Sequence, residues 1–250
     1  MAGILVEDVS FTSEGYTLKG RTYRLVAERK YPGLLICHGY PGDTKNIDLA
    51  EDLALNGYAV MIFYYRGAWS SEGEYRTTYT ATCTMDALKY LRSLPYVDVT
   101  RVGMISHSMG SVPLTKVMSE DINVKVGVLM SPIPDVNSWA SDEVLDVITP
   151  TFMKMAKGKL KGQTNQSFRK DIVETAKILN PMDHVPLIQV PLLFTVGTSD
   201  ATAEPDSIRL LYNVANDPKT WIEIEDADHS YSENRWPLIS AVLDWLKENL

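Results

Sequence analysis

Along residues 1–25 hydrophobic and polar positions alternate, in "ILVEDVSF" and "YTLKGRTYRL" parted by "TSEG". A period of two predicts an antiparallel hairpin at a sheet edge. From residue 32 the pattern becomes short continuous apolar runs, "PGLLICHG", "YAVMIFYY", "RVGMIS", "VKVGVLMS" and "VPLLFTVG", each closed by Gly, Ser or a polar turn. A strand that is apolar at every position is buried on both faces, so these runs predict a parallel sheet covered by helices.

The segments between the runs carry helical spacing. "NIDLAEDLALNG" (46–57) places Ile47, Leu49, Ala50, Leu53 and Ala54 on one stripe and stops at Gly57. "TATCTMDALKYLRSL" (80–94) does the same and ends before Pro95. In the last segment Trp236, Ile239, Val242, Leu243 and Leu246 share a face. Alternating β and α units predict one doubly wound α/β domain. Residues 132–186 interrupt the alternation with Met- and Lys-rich helical sequence and no strand signal. An insertion of about fifty residues in a compact domain is usually functional. The expectation is therefore a cap or lid at 132–186 over the sheet's carboxyl edge, with 1–131 and 187–250 forming the core domain.

Composition narrows the partners. The 250 residues are 45% hydrophobic and 22% charged, as in ordinary soluble domains. A net charge of −8 and a pI near 5.1 argue against nucleic acid or an anionic membrane as partner. The basic stretch "KMAKGKLKGQTNQSFRK" at 154–170 reads as a solvated face. The N-terminal stretch has no basic region or long apolar core, so no signal peptide is expected, and a cytoplasmic location is. Cys37 and Cys83 fall in a strand and a helix and are expected as buried free thiols.

In open α/β sheets ligands bind at the carboxyl ends of the strands. There, "LLICHGYPG" delivers His38, Gly39 and Tyr40, and "GMISHSMG" delivers Ser108. "LLFTVGTSD" delivers Asp200, and "TWIEIEDADHS" delivers His229. A nucleophile, an acid, a base and a glycine turn thus come from four strand ends, in the order Ser, Asp, His.

With "HGYPG" at 38–42, "YYRGAWSSEGEY" at 64–75, "SHSMG" at 106–110, and "GTSD" and "DADHS" near the end, the chain resembles the α/β-hydrolase superfamily. The likeness is to its small serine esterases and to prolyl-oligopeptidase-type catalytic domains. It implies a mostly parallel eight-stranded sheet flanked by helices, with a small helical cap insertion. Two positions depart from the pattern: Ser106 stands where the elbow normally carries Gly, and Ser70 where relatives carry Gly in a loop near the active site.

Small residues must stand two before and two after an elbow serine. Ser106 and Gly110 flank Ser108, whereas Met104 would crowd a turn at Ser106, so Ser108 is the expected nucleophile. Of four histidines, His38 belongs to its own turn, His107 adjoins the nucleophile, and His184 suits capping or packing, which leaves His229 as base. Asp200 follows "VGTS", where the resemblance places the acid; Asp206 suits a helix cap, and Asp226 and Asp228 lie too close to His229 along the chain. The backbone N–H groups of Tyr40 and Met109 are the expected oxyanion donors.

The function expected is cleavage of small carboxylic esters through an acyl-enzyme, with a small-molecule acyl ester as partner and no cofactor or metal. A homodimer is compatible with this reading. Acylaminoacyl or prolyl-type peptidase, feruloyl or cinnamoyl esterase, and a non-catalytic ligand-binding hydrolase fold are the alternatives. Tyr40, Trp69, Trp139 and Met153 could line an acyl pocket or simply pack the core.

Overall fold

The computed structural model describes residues 3–26, 29–43 and 46–250. Strands β1 (Ile4–Ser13) and β2 (Tyr16–Leu25) form the hairpin, turning at Glu14 and Gly15, both at positive φ. Then follow β3 (Tyr31–Cys37), α1 (Ile47–Leu55), β4 (Ala59–Phe63), α2 (Thr80–Ser93), β5 (Val97–His107), α3 (Ser111–Glu120) and β6 (Val126–Met130). Next come α4 (Asp142–Ala156), α5 (Asn165–Ile178), the single turn α6 (Pro181–His184), β7 (Leu192–Gly197), α7 (Pro205–Val214), β8 (Lys219–Ile224) and α8 (Arg235–Asn249).

One eight-stranded sheet runs β1-β2-β4-β3-β5-β6-β7-β8. The hairpin pairs antiparallel with β4, and every pair from β4 to β8 is parallel. The apolar runs behave as two-faced strands. In β3, Leu35 and Cys37 enter a core packed by α2 and α3, while Leu34 and Ile36 enter the opposite core under α1 and α8. Burial pushes the Cys37 thiol up to about 12, and both cysteines are free.

Two stripe residues depart from expectation. Ile47 is 38% and Trp236 69% exposed, although the rest of each stripe is buried. Both stand in the first turn of their helix, and periodicity alone cannot report burial there. In α8 the apolar face is completed instead by Leu238 and Trp245.

Residues between β6 and β7 form α4, α5 and α6 and are stitched to the core. Trp69 donates to the Lys159 carbonyl (2.7 Å), and Lys161 donates to the Gly67 carbonyl (2.8 Å), around an antiparallel Ala68–Leu160 bridge. Lys159 pairs with Asp43 at 2.5 Å, so part of the basic stretch is docked rather than merely solvated. Asp171 of α5, only 4% exposed, accepts from the Thr77 and Thr78 amides (2.6 and 3.2 Å) and from the Thr78 hydroxyl (2.8 Å). A buried carboxylate thereby caps the 3-10 turn that opens α2.

Candidate active site

The site starts at the end of β5. His107 is still extended (φ −126°, ψ 133°), Ser108 turns to φ 54°, and a 3-10 turn over Ser108–Gly110 leads into α3. A non-glycine residue in the left-handed region costs about 1–3 kcal/mol and persists only where its surroundings fix it. The turn throws the Ser108 side chain off the sheet edge. A Cβ on Gly110 would stand 2.2 Å from the Cys37 carbonyl oxygen, so only glycine fits there. At the other flank Ser106 is fully buried and its hydroxyl donates to the Val128 carbonyl at 3.4 Å. The position therefore accepts a serine because its side chain faces β6.

His229 comes from the loop between β8 and α8. Its Nε2 lies 2.8 Å from Ser108 Oγ, and its Nδ1 lies 2.8 Å from Asp200 Oδ2. The other Asp200 oxygen accepts from the amides of Thr202 (2.8 Å) and Ala203 (2.9 Å). Burial raises the Asp200 carboxyl, but the hydrogen bonds from His229, Ala203 and Thr202 outweigh it and hold it below its ordinary value. An ionised Asp200 accepts the Nδ1 proton, leaving the Nε2 lone pair to accept the Ser108 hydroxyl. A hydroxyl so placed can give up its proton while attacking an electrophile. Ser108 is 7% exposed, and the His229 side chain keeps 19% of its surface open.

The His229 loop is held from several sides. Tyr231, fully buried, accepts from the Ser131 hydroxyl at 3.0 Å and donates to the Thr195 carbonyl at 2.9 Å. Arg235 grips Asp48 through two bonds (2.6 and 2.7 Å) and donates to the Ser230 carbonyl. Asp228 accepts from the Ser230 and Ser232 amides and from the Ser232 hydroxyl, which shapes the loop. His107 donates Nε2–H to the His229 carbonyl at 2.7 Å.

Around the nucleophile, Gly39 presses on it: a Cβ there would meet Ser108 Cβ at 2.9 Å. Tyr40 is next in the chain, and its hydroxyl donates to Gln163 Oε1 (2.7 Å), with the Phe152 carbonyl also within reach at 3.1 Å. Its ring packs on Phe152, Tyr75 and Phe168, and burial raises its phenol above the ordinary value. His38 donates Nδ1–H to the Gly39 carbonyl at 2.7 Å, ordering this turn as its place in "HGYPG" suggested. His184 donates Nε2–H to the carbonyl of Ile178, the last residue of α5, at 3.1 Å, a capping role at that helix end.

A 280 Å³ cavity lies between the segment after β6 and the loop after Asp200, walled by Ile133, Trp139, Met182, Thr202, Ala203 and Leu210. Ile133 touches the elbow directly, its amide 3.4 Å from the Ser108 carbonyl. Of the four aromatic and Met residues named as pocket candidates, Trp139 lines this cavity, and Trp69 instead donates its indole N–H to the Pro41 carbonyl. A 550 Å³ groove runs elsewhere, along β1 and β2, with Lys19, Tyr64 and Ser70 on its walls. Ser70 is exposed there rather than facing Ser108, and the positive φ values in its loop fall on Gly67, Trp69 and Gly73. Asp206 sits in the first turn of α7 behind Glu204 rather than capping the helix. Among the described residues no cluster of three His, Cys, Asp or Glu side chains could hold a metal, and no helix is long and apolar enough to cross a membrane.

A family model of the alpha/beta hydrolase fold matches residues 32–149. The chain is similar over 98% of its length to the α/β hydrolase GrgF from Penicillium sp. sh18, with TM-score 0.79, 17% identity and 99% of that chain covered. The chain has the α/β-hydrolase fold. Est1E from Butyrivibrio proteoclasticus, solved with ferulic acid, shares this hydrolase fold at TM-score 0.76 and 17% identity, covering 96% of this chain and 98% of that one. An uncharacterised 31.7 kDa Escherichia coli protein from a traX-finO intergenic region is 25% identical over 283 aligned positions, spanning 95% of this chain and 97% of that protein. On this hydrolase fold, Ser108, Asp200 and His229 stand at the carboxyl ends of β5, β7 and β8.

Proposed function

We propose that this chain is a serine hydrolase of small carboxylic esters. The observation that carries the reading is the unbroken relay from Ser108 Oγ through His229 to Asp200, two contacts of 2.8 Å each. In the first step His229 Nε2 takes the Ser108 proton as Oγ attacks the ester carbonyl. The protonated imidazole, held by Asp200, then gives that proton to the leaving alcohol, and an acyl-serine remains. In the second step water, deprotonated by the same nitrogen, attacks the acyl carbonyl and releases the acid and free Ser108. The Met109 and Tyr40 amides are the oxyanion donors in this mechanism. Loss of one such donor costs about 10²–10³ in turnover.

The 280 Å³ cavity beside Asp200 supports an acyl group of modest size, and Trp139 with Met182 on its walls favours an aryl acid such as a hydroxycinnamate as a second reading. Residues 132–186 act as the cap over this room. The test is turnover of short p-nitrophenyl esters, feruloyl esters and aminoacyl amides by the whole chain beside Ser108→Ala. Ester turnover lost in the variant supports the hydrolase. Folded protein inert toward all three would point to a ligand-binding fold instead.

A further inference from the structure

His107 is a buried titratable group beside the relay that the mechanism above leaves idle. It is 3% exposed, it directly precedes the nucleophile, and its ring centroid lies 5.2 Å from that of His229. Its Nε2 is 2.7 Å from the His229 carbonyl oxygen, and its Nδ1 is buried without a partner. A carbonyl only accepts, so His107 carries its proton on Nε2 and donates. The base of the relay is thus tied twice across the chain: Asp200 fixes its ring, and His107 fixes its backbone. Tyr231, Arg235 and Asp228 anchor the loop through residues on the far side of His229, and none of them belongs to the strand that bears the nucleophile.

We propose that His107 is a positioning residue that holds His229 at reacting distance from Ser108, by clamping the base's main chain to the strand carrying the nucleophile. The inference rests on the serine-hydrolase reading. His107, the last residue of β5, and Ser108, the first of the turn after it, then fix both ends of the proton transfer, so a shift of the β8–α8 loop cannot open the Ser108–His229 contact without breaking the clamp. The clamp must also stay neutral, because His229 becomes positive during each step. Burial, with the nearby His229 and Arg235 charges, pushes His107 down to about 4, against smaller upward pulls from its bond to the His229 carbonyl and from Asp200.

The test compares the full chain with His107→Leu, which removes the donor at similar size, and His107→Gln, whose amide can donate from nearly the same place. Ester kcat, KM and the pH profile of kcat are measured, with labelling by a p-nitrophenyl phosphonate. A misplacement of about 1 Å in such a site can cost 10²-fold. The expected result is a tenfold or larger fall in kcat for the Leu variant, KM within about twofold, a shifted acidic limb of the profile, and recovery of most of the loss in the Gln variant. Wild-type kcat and profile in the Leu variant overturn the inference, as does an equal loss in both variants. If the Leu variant does not fold, His107→Asn, too short to reach the carbonyl, takes its place. Wild-type protein that neither turns over ester nor takes the label overturns the hydrolase reading itself, and the clamp with it.

Discussion

The Cys37 carbonyl oxygen stands 2.2 Å from the place a Cβ on Gly110 would occupy. This approach, between the end of β3 and the turn after Ser108, sets the height of the elbow. Gly110→Ala has to move backbone against backbone and is expected to cost about 3 kcal/mol or more, beyond ordinary overpacking. Ser106→Gly removes only a long hydrogen bond and adds chain entropy, so it should cost about 1 kcal/mol. Urea melts of the two variants check the asymmetry, and equal losses would contradict it.

Acid stability follows from His107. With a folded value of about 4 against an ordinary 6.5, the unfolded chain binds a proton there that the folded chain refuses. Stability is therefore full above about pH 6.5 and declines toward pH 4, by about 3 kcal/mol in total. Asp200, held below its ordinary carboxylate value, adds a further loss once pH falls through that lower range. Denaturation midpoints from pH 8 to 4 should show the decline, and His107→Gln should flatten the part above pH 4. A variant curve parallel to wild type would contradict this assignment.

Asp171 ties α5 to the start of α2. Asp171→Ala leaves the Thr77 and Thr78 amides without their acceptor, at an expected cost of about 3 kcal/mol, and Asp171→Asn keeps one acceptor and loses less. Hydrogen exchange at those two amides should quicken in the Ala variant before global unfolding. Unchanged protection would show that the inserted helices are held by other contacts.

Much of this architecture could be read from the chain because burial leaves a direct mark on sequence. Runs such as "LLIC" and "LLFTVG" have to be apolar on both faces, and the polar residues that end them fall at one edge of the sheet. That is why Ser108, Asp200 and His229 could be named before they were seen within hydrogen-bond distance. What escaped was pairing without periodicity. Nothing in "GKLKG" marks a backbone bridge to residues 67–75, and nothing in a Lys-rich stretch marks Asp171 as a buried cap. In the chain His107 shows only its nearness to Ser108, whereas its hydrogen-bond partner lies in the loop after β8. Trp236 and Ile47 fit their helical stripes yet stand exposed in first turns, because a stripe gives the face of a helix and not how far its cover extends.

The central claim is that the hydroxyl of Ser108, activated by His229, is the attacking group. Its most direct measurement is mass spectrometry of peptides from the folded chain after incubation with a fluorophosphonate. One adduct on the peptide spanning residues 102–116, fragmenting to Ser108 rather than Ser106 and absent in His229→Ala, is the predicted result. An adduct at Ser106, or labelling that survives loss of the imidazole, would contradict the account.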